Sequence, residues 1–259
     1  MRKIFCISLF VLTLNIFGQT EELSITWYGQ SCFGLLYNGT SILIDPGSAE
    51  YLDYDFPKTK FNYGFSTHKA KDHFAFNKVD VKKKYLACGN ESKFIELPER
   101  EKNIFTEKVI VDSGKNAIEI STFPAYCDEK KGKAKGVNGI ICIRFGDIRV
   151  VHLGDLGHLL ENDMINSIGR VDILMIPVDS YYVWGLDHTK AVTRQLNPEV
   201  IIPMHYKTVS VSDDSYPEDI EEYSIMFKYV IEYEENTIRF TKEDFGQHQR
   251  LIKLDYYGN

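Results

Sequence analysis

The chain has 259 residues, 44% of them hydrophobic and 26% charged, which is enough to bury the core of one large domain or two small ones. This composition excludes a disordered, a collagen-like or a disulfide-rich chain. The 30 basic and 37 acidic residues give a formal charge of −7, which argues against a general nucleic-acid binder.

The N-terminus has the pattern of a secretory signal peptide. Met1-Arg2-Lys3 is positively charged, residues 4–17 are mostly apolar, and the small Gly18 precedes a plausible cleavage point. The apolar run is short for a membrane span. We therefore predict a signal peptide at 1–19 and one exported domain at 20–259, periplasmic or secreted, without a stable membrane span. A first core helix or an uncleaved anchor is the alternative.

Four cysteines follow this leader, and none belongs to a Cys-x-x-Cys pair. They are Cys32, Cys88, Cys127 and Cys142. The spacing argues against a zinc ribbon or a thioredoxin-type site, and one disulfide remains open in an oxidising compartment.

The sequence predicts mainly strands in the first half of the chain. Alternating or continuous apolar runs predict strands at 23–27, 33–36, 42–44, 62–67, 109–111, 117–123, 139–145 and 148–153. Asn38-Gly39 predicts a hairpin turn. Residues 50–60 indicate a loop, and the charged segment 91–103 is predicted to be helical.

Helices join the strands in the second half. The apolar spacing predicts helices at 159–168, 188–196 and 217–229, and strands at 171–177, 200–203, 237–240 and 250–254. Strand meanders followed by alternating strands and helices predict one layered α/β domain. Tyr181, Tyr182 and Trp184 are candidates for an aromatic wall or for the core.

Four predicted strands are followed by acids or histidines. These residues are Asp45, His68 with the Asp72-His73 pair, Asp155 and His205. Because binding sites are built on the loops at strand ends, we expect these side chains to meet. Imidazole and carboxylate groups are common ligands of Zn, Fe and Mn. A solvated loop is the alternative for the 67–73 cluster.

The order of these motifs allows a family comparison. The motifs are Ile25-Thr26-Trp27-Tyr28-Gly29, Ile44-Asp45-Pro46, Thr67-His68 with Asp72-His73, Gly154-Asp155 and Pro203-Met204-His205-Tyr206. Between residues 24 and 208 the chain resembles the metallo-β-lactamase fold superfamily, especially the branch of L-ascorbate-6-phosphate lactonase and related metal-dependent hydrolases. The resemblance implies an αββα sandwich with its site along one edge of the two sheets.

The resemblance implies one metal site whose ligands are all present and a second site that has lost ligands. The first would use four residues that are all present: Asp72, His73, Asp155 and His205. Asp45 and Thr67 would stand behind the ligands and orient a histidine.

In the second site, Ala70 and Cys127 stand where the family has histidines. Near the start of the chain, Gln30 also stands where the branch usually has a histidine. His68 would remain as a weaker ligand or act as an acid or base. Cys127 would be the weakest ligand, a small buried residue or half of a disulfide.

The predicted function is a metal-dependent hydrolase of small molecules, with one divalent ion, Zn before Mn or Fe, and a second ion in doubt. Asp72 or Asp155 would aim a metal-activated water at an ester, lactone, amide or phosphoester. Lys69 and Lys71 favour an anionic substrate or are solvated, and His158 is a further candidate for the lining. The alternatives are a non-catalytic metal- or ligand-binding relative and a single-iron redox or sulfur enzyme. The oligomeric state stays open.

Overall fold

The computed structural model of the protein describes residues 21–97, 104–111, 117–179, 185–212 and 220–256. The predicted signal peptide and the predicted aromatic wall lie outside the described residues. Within these ranges, sixteen strands form two eight-stranded sheets, accompanied by three α-helices and a short 3₁₀ helix at Lys242–Asp244.

The first sheet is built from the N-terminal strands and one C-terminal strand. Its strands are β1 (Leu23–Trp27), β2 (Phe33–Tyr37), β3 (Thr40–Ile44), β4 (Phe61–Ser66), β5 (Val81–Ala87), β6 (Phe94–Glu96), β7 (Ile104–Thr106) and β15 (Thr237–Phe240). They lie in the order β15-β1-β2-β3-β4-β5-β6-β7. Tyr37 pairs with Thr40, so β2 and β3 form the hairpin predicted at Asn38-Gly39.

The second sheet carries the parallel strands. Its strands are β8 (Lys108–Val111), β9 (Ile118–Tyr126), β10 (Val137–Phe145), β11 (Ile148–His152), β12 (Ile173–Pro177), β13 (Val200–Met204), β14 (Val230–Tyr233) and β16 (Arg250–Leu254). Their order is β14-β16-β13-β12-β11-β10-β9-β8, with β11, β12 and β13 mutually parallel. Every residue of β12 and β13 is buried, as expected for parallel strands covered on both faces.

The described helices are α1 (Asn162–Ile168), α2 (Leu186–Leu196) and α3 (Ile220–Ser224). Helix α2 packs on the second sheet, where the Thr189 hydroxyl donates a 3.2 Å hydrogen bond to the Pro177 carbonyl. It ends at Asn197, whose left-handed conformation lets its N–H bond the Thr193 carbonyl. None of the helices in the described ranges has the length and apolar character to cross a bilayer.

The main core lies between the two sheets. Strand β1 alternates fully buried with half-buried residues, which gives it one apolar face. Tyr37 on β2 contacts Phe145 on β10 with ring centroids 5.4 Å apart, and Phe33 contacts His152 on β11 at 5.8 Å. These contacts close the predicted sandwich.

A smaller core covers the opposite face of the first sheet. It joins Cys32, Leu43, Phe61, Phe76 and Val81. In the described part of the chain this face is covered by the segment 74–79 rather than by a helix.

The predicted elements differ from the structure in three places. The helix predicted at 91–103 is wrong where it is described, because Phe94 is fully buried and residues 94–96 pair with β5 as strand β6. Strands β5, β7 and β14 were not predicted. The predicted helix at 217–229 is helical only at Ile220–Ser224, and residues 217–219 lie outside the described ranges.

Candidate metal centre

Asp45, which directly follows β3, contacts two residues of the loop that follows β4. It is fully buried and has a φ of 47°, a left-handed conformation that Asp adopts more readily than most residues. Its Oδ1 accepts a 2.7 Å hydrogen bond from the Thr67 backbone N–H, and Oδ2 accepts one from the Thr67 hydroxyl at 2.7 Å. The same Oδ2 lies 2.8 Å from Nδ1 of His73. Asp45 and Thr67 therefore hold His73 so that its Nε2 faces away from them.

The loop after β4 brings Asp72 next to His73. The Ser66 hydroxyl donates to the carbonyls of His68 and His73, at 2.7 and 3.0 Å, which fixes both ends of the loop. The Tyr51 hydroxyl donates a 3.0 Å hydrogen bond to Oδ2 of Asp72. A Cβ at Gly47 would lie 2.3 Å from the Asp72 carbonyl oxygen, so only glycine fits there.

Asp155 is positioned by the turn that follows β11. Gly154 has a φ of 55°, and a Cβ there would lie 2.3 Å from Oδ1 of Asn138. The Asn138 side chain donates to the Leu153 carbonyl at 2.8 Å and accepts from the Asp155 N–H at 3.2 Å. As a result, Oδ1 of Asp155 lies 3.1 Å from Nε2 of His73.

His205 directly follows β13 and completes the cluster. Its backbone N–H bonds the Gln30 carbonyl at 3.2 Å, and its φ is 57°. Nδ1 lies 3.1 Å from Oδ2 of Asp179, and Nε2 lies 3.5 Å from Asp155 and 3.6 Å from Asp72. The sequence prediction missed Asp179, although it stands two residues after the buried strand β12, like the acids found at other strand ends.

The four residues form a donor set that fits a divalent cation. One ligand atom each from Asp72, His73, Asp155 and His205 lies within 4.8 Å of the others. Within the described residues, Nε2 of His73 and Oδ1 of Asp155 are buried, and although they lie 3.1 Å apart, neither forms a well-aligned hydrogen bond. Buried polar atoms are normally satisfied, so these two call for an additional partner. Two imidazole nitrogens and two carboxylate oxygens suit Zn, Fe or Mn.

The carboxylates of the cluster raise the pKa values of its two histidines. Burial alone would lower the pKa of His205, but Asp155 and the hydrogen bond to Asp179 raise it to about 10. For His73 the carboxylates of Asp155, Asp72 and Asp45 likewise outweigh burial and raise the pKa well above its usual value. The carboxylates thus favour protonated imidazoles in the absence of a metal, and a cation that binds these nitrogens would release protons.

His68 and Cys127 lie beside this cluster rather than in it. Nδ1 of His68 is 3.0 Å from the Thr67 hydroxyl oxygen, and Nε2 is 3.6 Å from Oδ2 of Asp155. The Cys127 thiol donates to the Val137 carbonyl at 3.6 Å, and burial raises its pKa above the usual range of a thiol. All four cysteines of the described chain are free thiols. The disulfide left open by the sequence is not formed, and neither residue joins the four clustered ligand atoms.

A cavity of about 700 Å³ opens above the cluster. His68, Ala70, Asp72, Cys127 and Asp155 form part of its lining. Ala70 presents a methyl group where the family pattern has a histidine.

The three predicted lining residues are placed differently. Lys69 is exposed and lines the cavity, whereas Lys71 is exposed outside the lining and lies 4.0 Å from Glu50. His158 is not part of the lining, and its ring nitrogens contact the Tyr126 N–H at 3.2 Å and the Leu159 carbonyl at 2.8 Å. Lys135, which the sequence prediction missed, is exposed and also lines the cavity. It stands in a lysine-rich loop directly after Cys127-Asp128.

The sandwich and its two-histidine, two-carboxylate centre at one sheet edge define a class of metal-binding proteins. The chain belongs to the metallo-β-lactamase superfamily: the family model described as the Beta-lactamase superfamily domain matches residues 24–205.

Sequence relatives carry a consistent description. A UPF0173 metal-dependent hydrolase from Staphylothermus marinus is 27% identical over 195 residues, covering 71% of this chain and 83% of the relative. One from Archaeoglobus fulgidus is 25% identical over 213 residues, covering 76% and 88%. These names support the prediction of a metal-dependent hydrolase. The ascorbate-lactonase branch stays a prediction.

Solved structures support the fold. A Thermotoga maritima protein described as a candidate Zn-dependent hydrolase of this superfamily has a TM-score of 0.63 at 23% identity, covering 90% of this chain and 98% of that one. A metallo hydrolase from Ignicoccus hospitalis has a TM-score of 0.55 at 18% identity, covering 85% and 98%.

Proposed function

We propose that the protein is a hydrolase that holds one divalent ion tightly and cleaves an ester, lactone, amide or phosphoester. One observation carries the proposal. Four ligand atoms from Asp72, His73, Asp155 and His205 lie within 4.8 Å of one another, and two of them are buried without a well-aligned hydrogen bond in the described chain.

A divalent ion bound by these residues would supply an activated water at neutral pH and polarise the bond to be cleaved. Asp72 and Asp155 are the groups placed to accept a hydrogen bond from that water and to aim it. The Tyr51 hydroxyl holds Oδ2 of Asp72, which fixes the direction of its carboxylate. Precise placement of this kind contributes to rate because the reacting atoms must meet in a narrow range of geometries.

His68 adds a proton acceptor beside the cluster. The Thr67 hydroxyl donates to Asp45, so its oxygen accepts the Nδ1 proton of His68. Burial lowers the pKa of His68, which favours the neutral ring with its lone pair on Nε2. That nitrogen lies 3.6 Å from Asp155 in the wall of the cavity, where it would take up or return a proton during cleavage.

Zn is the ion we propose, with Mn and Fe compatible with the same donors. A second tightly held ion is not part of the proposal. Ala70 offers no ligand atom, and the Cys127 thiol is engaged with Val137.

Ala70 and Cys127, which replace family ligands, favour a second candidate: a binding protein that keeps one metal and has lost catalysis. Superfamily enzymes that rely on two ions would be weakened by the loss of ligands at positions 70 and 127. Turnover separates the two candidates.

We also propose that residues 1–19 direct export. The charged start and the following apolar run support this proposal. The mass of the purified exported protein tests it, since cleavage near residue 19 would remove the leader and an uncleaved chain would contradict the proposal.

The hydrolase proposal is tested with a panel of chromogenic esters, lactones and phosphodiesters. We expect Zn-dependent turnover of at least one class, loss of that turnover with a chelator, and recovery on adding Zn. Asp155→Asn should abolish it, whereas Asp187→Asn, a matched change at the exposed start of α2, should not. Metal-loaded protein that turns over none of the panel would favour the binding protein.

A further inference from the structure

We propose that Lys69 and Lys135 form a subsite that binds an oxyanion, a carboxylate or a phosphate, on the molecule that enters the metal cavity. The inference deepens the proposed function, on which it rests for the statement that this molecule is the substrate. The sequence prediction paired Lys69 with Lys71, which belong to one loop. The proposed subsite pairs Lys69 with Lys135, which belongs to a second loop.

The two lysines belong to different loops that line the same cavity. Lys69 belongs to the loop 68–73, which also supplies Asp72 and His73, and Lys135 belongs to the loop 128–136 that follows β9. Both line the same cavity of about 700 Å³, together with the metal ligands Asp72 and Asp155. An oxyanion between them would therefore sit next to the bond that the centre is proposed to cleave.

Asp128 fixes the backbone that carries Lys135. Its carboxylate accepts four backbone hydrogen bonds, from the N–H groups of Lys130, Gly132, Ala134 and Lys135, at 2.7, 3.0, 3.0 and 2.6 Å. Gly132 is also confined, since a Cβ there would lie 2.9 Å from the Gly136 carbonyl oxygen. A loop held in this way loses little conformational freedom when a ligand binds, which favours affinity.

The charges of the lining favour an anion. Asp72 and Asp155 are its two acids, and a divalent ion would match their two negative charges. Apart from His68, the remaining lining groups are neutral: Tyr51, Ala70, Cys127, Gly136 and Val137. With those two acids matched by an ion, the two lysines give the cavity lining a net positive charge, in a chain whose formal charge is −7.

The missing family ligands leave room for this ligand. Ala70 directly follows Lys69 and replaces an imidazole with a methyl group, and the small Cys127 is another residue of the lining. Cavities of about 300–1,000 Å³ are typical of small-molecule sites. The space beside the single metal site is thus open to the anionic end of a substrate.

Binding of inorganic phosphate and of succinate to the Zn-loaded protein tests the subsite, with isothermal titration calorimetry as the readout. Lys69→Gln with Lys135→Gln removes the two lining charges. Lys71→Gln with Lys133→Gln removes two charges from the same two loops that do not belong to the cavity lining. This matched pair controls for net charge and for binding of the anion to Zn.

We expect the first double variant to weaken binding of at least one of the two anions by about fivefold or more, and the second to change it less than about twofold. Preference for phosphate or for succinate identifies the oxyanion. Equal losses in both double variants, no loss in either, or no binding to the unaltered protein would overturn the subsite.

Hydrolysis of a neutral and an anionic ester of matched length separates this inference from the proposed function. The subsite predicts that kcat/KM falls in the lining variant only for 4-nitrophenyl hemisuccinate and not for 4-nitrophenyl butyrate. Lysine-dependent anion binding without any turnover would refute the hydrolase and keep the subsite. Equal turnover of both esters, unaffected by the lysine changes, would refute the subsite and keep the hydrolase.

Discussion

The carboxylate of Asp179 lies 3.1 Å from Nδ1 of His205, on the side of the ring opposite the cavity. Asp45 stands in the same relationship to His73, at 2.8 Å. In each pair an acid at a strand end holds the outer nitrogen, so that Nε2 faces the shared centre. Such carboxylate–histidine pairs fix ring orientation and raise the basicity of the ligand nitrogen.

Asp179→Asn should therefore weaken metal binding without removing a ligand. The amide is nearly the same size but carries no charge, so we expect the Kd for Zn to rise about 10–100-fold. Competition with a chromophoric chelator measures the change. Asp187→Asn serves as the control because it removes an acid from an exposed position of α2. Equal Zn affinity in the Asp179 variant and the unaltered protein would show that this pair does not tune the centre.

Gly154→Ala should destabilise the fold at the turn that carries Asp155. The residue needs a φ of 55°, and the new Cβ would lie 2.3 Å from Asn138 and 2.8 Å from Thr67. Left-handed strain and overpacking together predict a loss of about 2–5 kcal/mol in the free energy of unfolding. Urea denaturation measures it.

Gly39→Ala provides the matched control for that change. Gly39 also has a positive φ, of 78°, but a Cβ there meets nothing within 4 Å. Only the backbone strain remains, at about 1–2 kcal/mol. If the two variants lost the same stability, close packing around Gly154 would not be the reason for its glycine.

Asp128→Asn should loosen the loop that carries Lys135, in a manner that depends on pH. Burial alone would raise the pKa of Asp128, but four backbone N–H groups outweigh it and lower the pKa. Its stabilising contribution is therefore complete above the ordinary Asp pKa of about 3.9 and is lost as the pH falls through the lower folded value.

At pH 7 we expect the asparagine variant to be less stable by about 1–2 kcal/mol, since hydrogen bonds to a charged acceptor are replaced by neutral ones. The difference should shrink below pH 4, because the carboxyl group takes up its proton first in the unfolded chain and only at lower pH in the folded protein. Denaturation at pH 7 and at pH 3 measures both values. A difference that grows on acidification would contradict this role.

Ala70→His combined with Cys127→His should increase the number of bound ions. The two changes would place imidazoles beside His68 where the superfamily pattern has them. We expect the Zn content per chain to rise from about one toward two, because three imidazole nitrogens form a sufficient ligand set for a second ion. Elemental analysis measures it. An unchanged content would mean that the second site has lost more than these two ligands.

The sequence was sufficient to predict which four residues form the candidate metal centre. Together with Asp45, these residues all stand at or shortly after strand ends, and parallel strands deliver such residues to one rim of a sheet. The apolar pattern that marks the end of a strand is local and can be recognised in a single sequence.

Residues that act through tertiary contacts were harder to predict. Asp179 acquires its role only because β12 and β13 lie side by side, which places it behind His205. Lys135 lines the cavity and Lys71 does not, and proximity to Asp72 in the sequence does not tell which lysine belongs to the lining. The helix predicted at 91–103 failed for a similar reason, since pairing with β5 overrides the local preference of residues 94–96.

The metal content of the purified protein and of His205→Ala, measured by inductively coupled plasma mass spectrometry after extensive dialysis, tests the central claim most directly. The account predicts about one equivalent of a divalent ion per chain of the unaltered protein and a large loss in the variant. Unaltered protein that retains no divalent ion even after incubation with Zn, or a His205→Ala variant that retains a full equivalent, would contradict it.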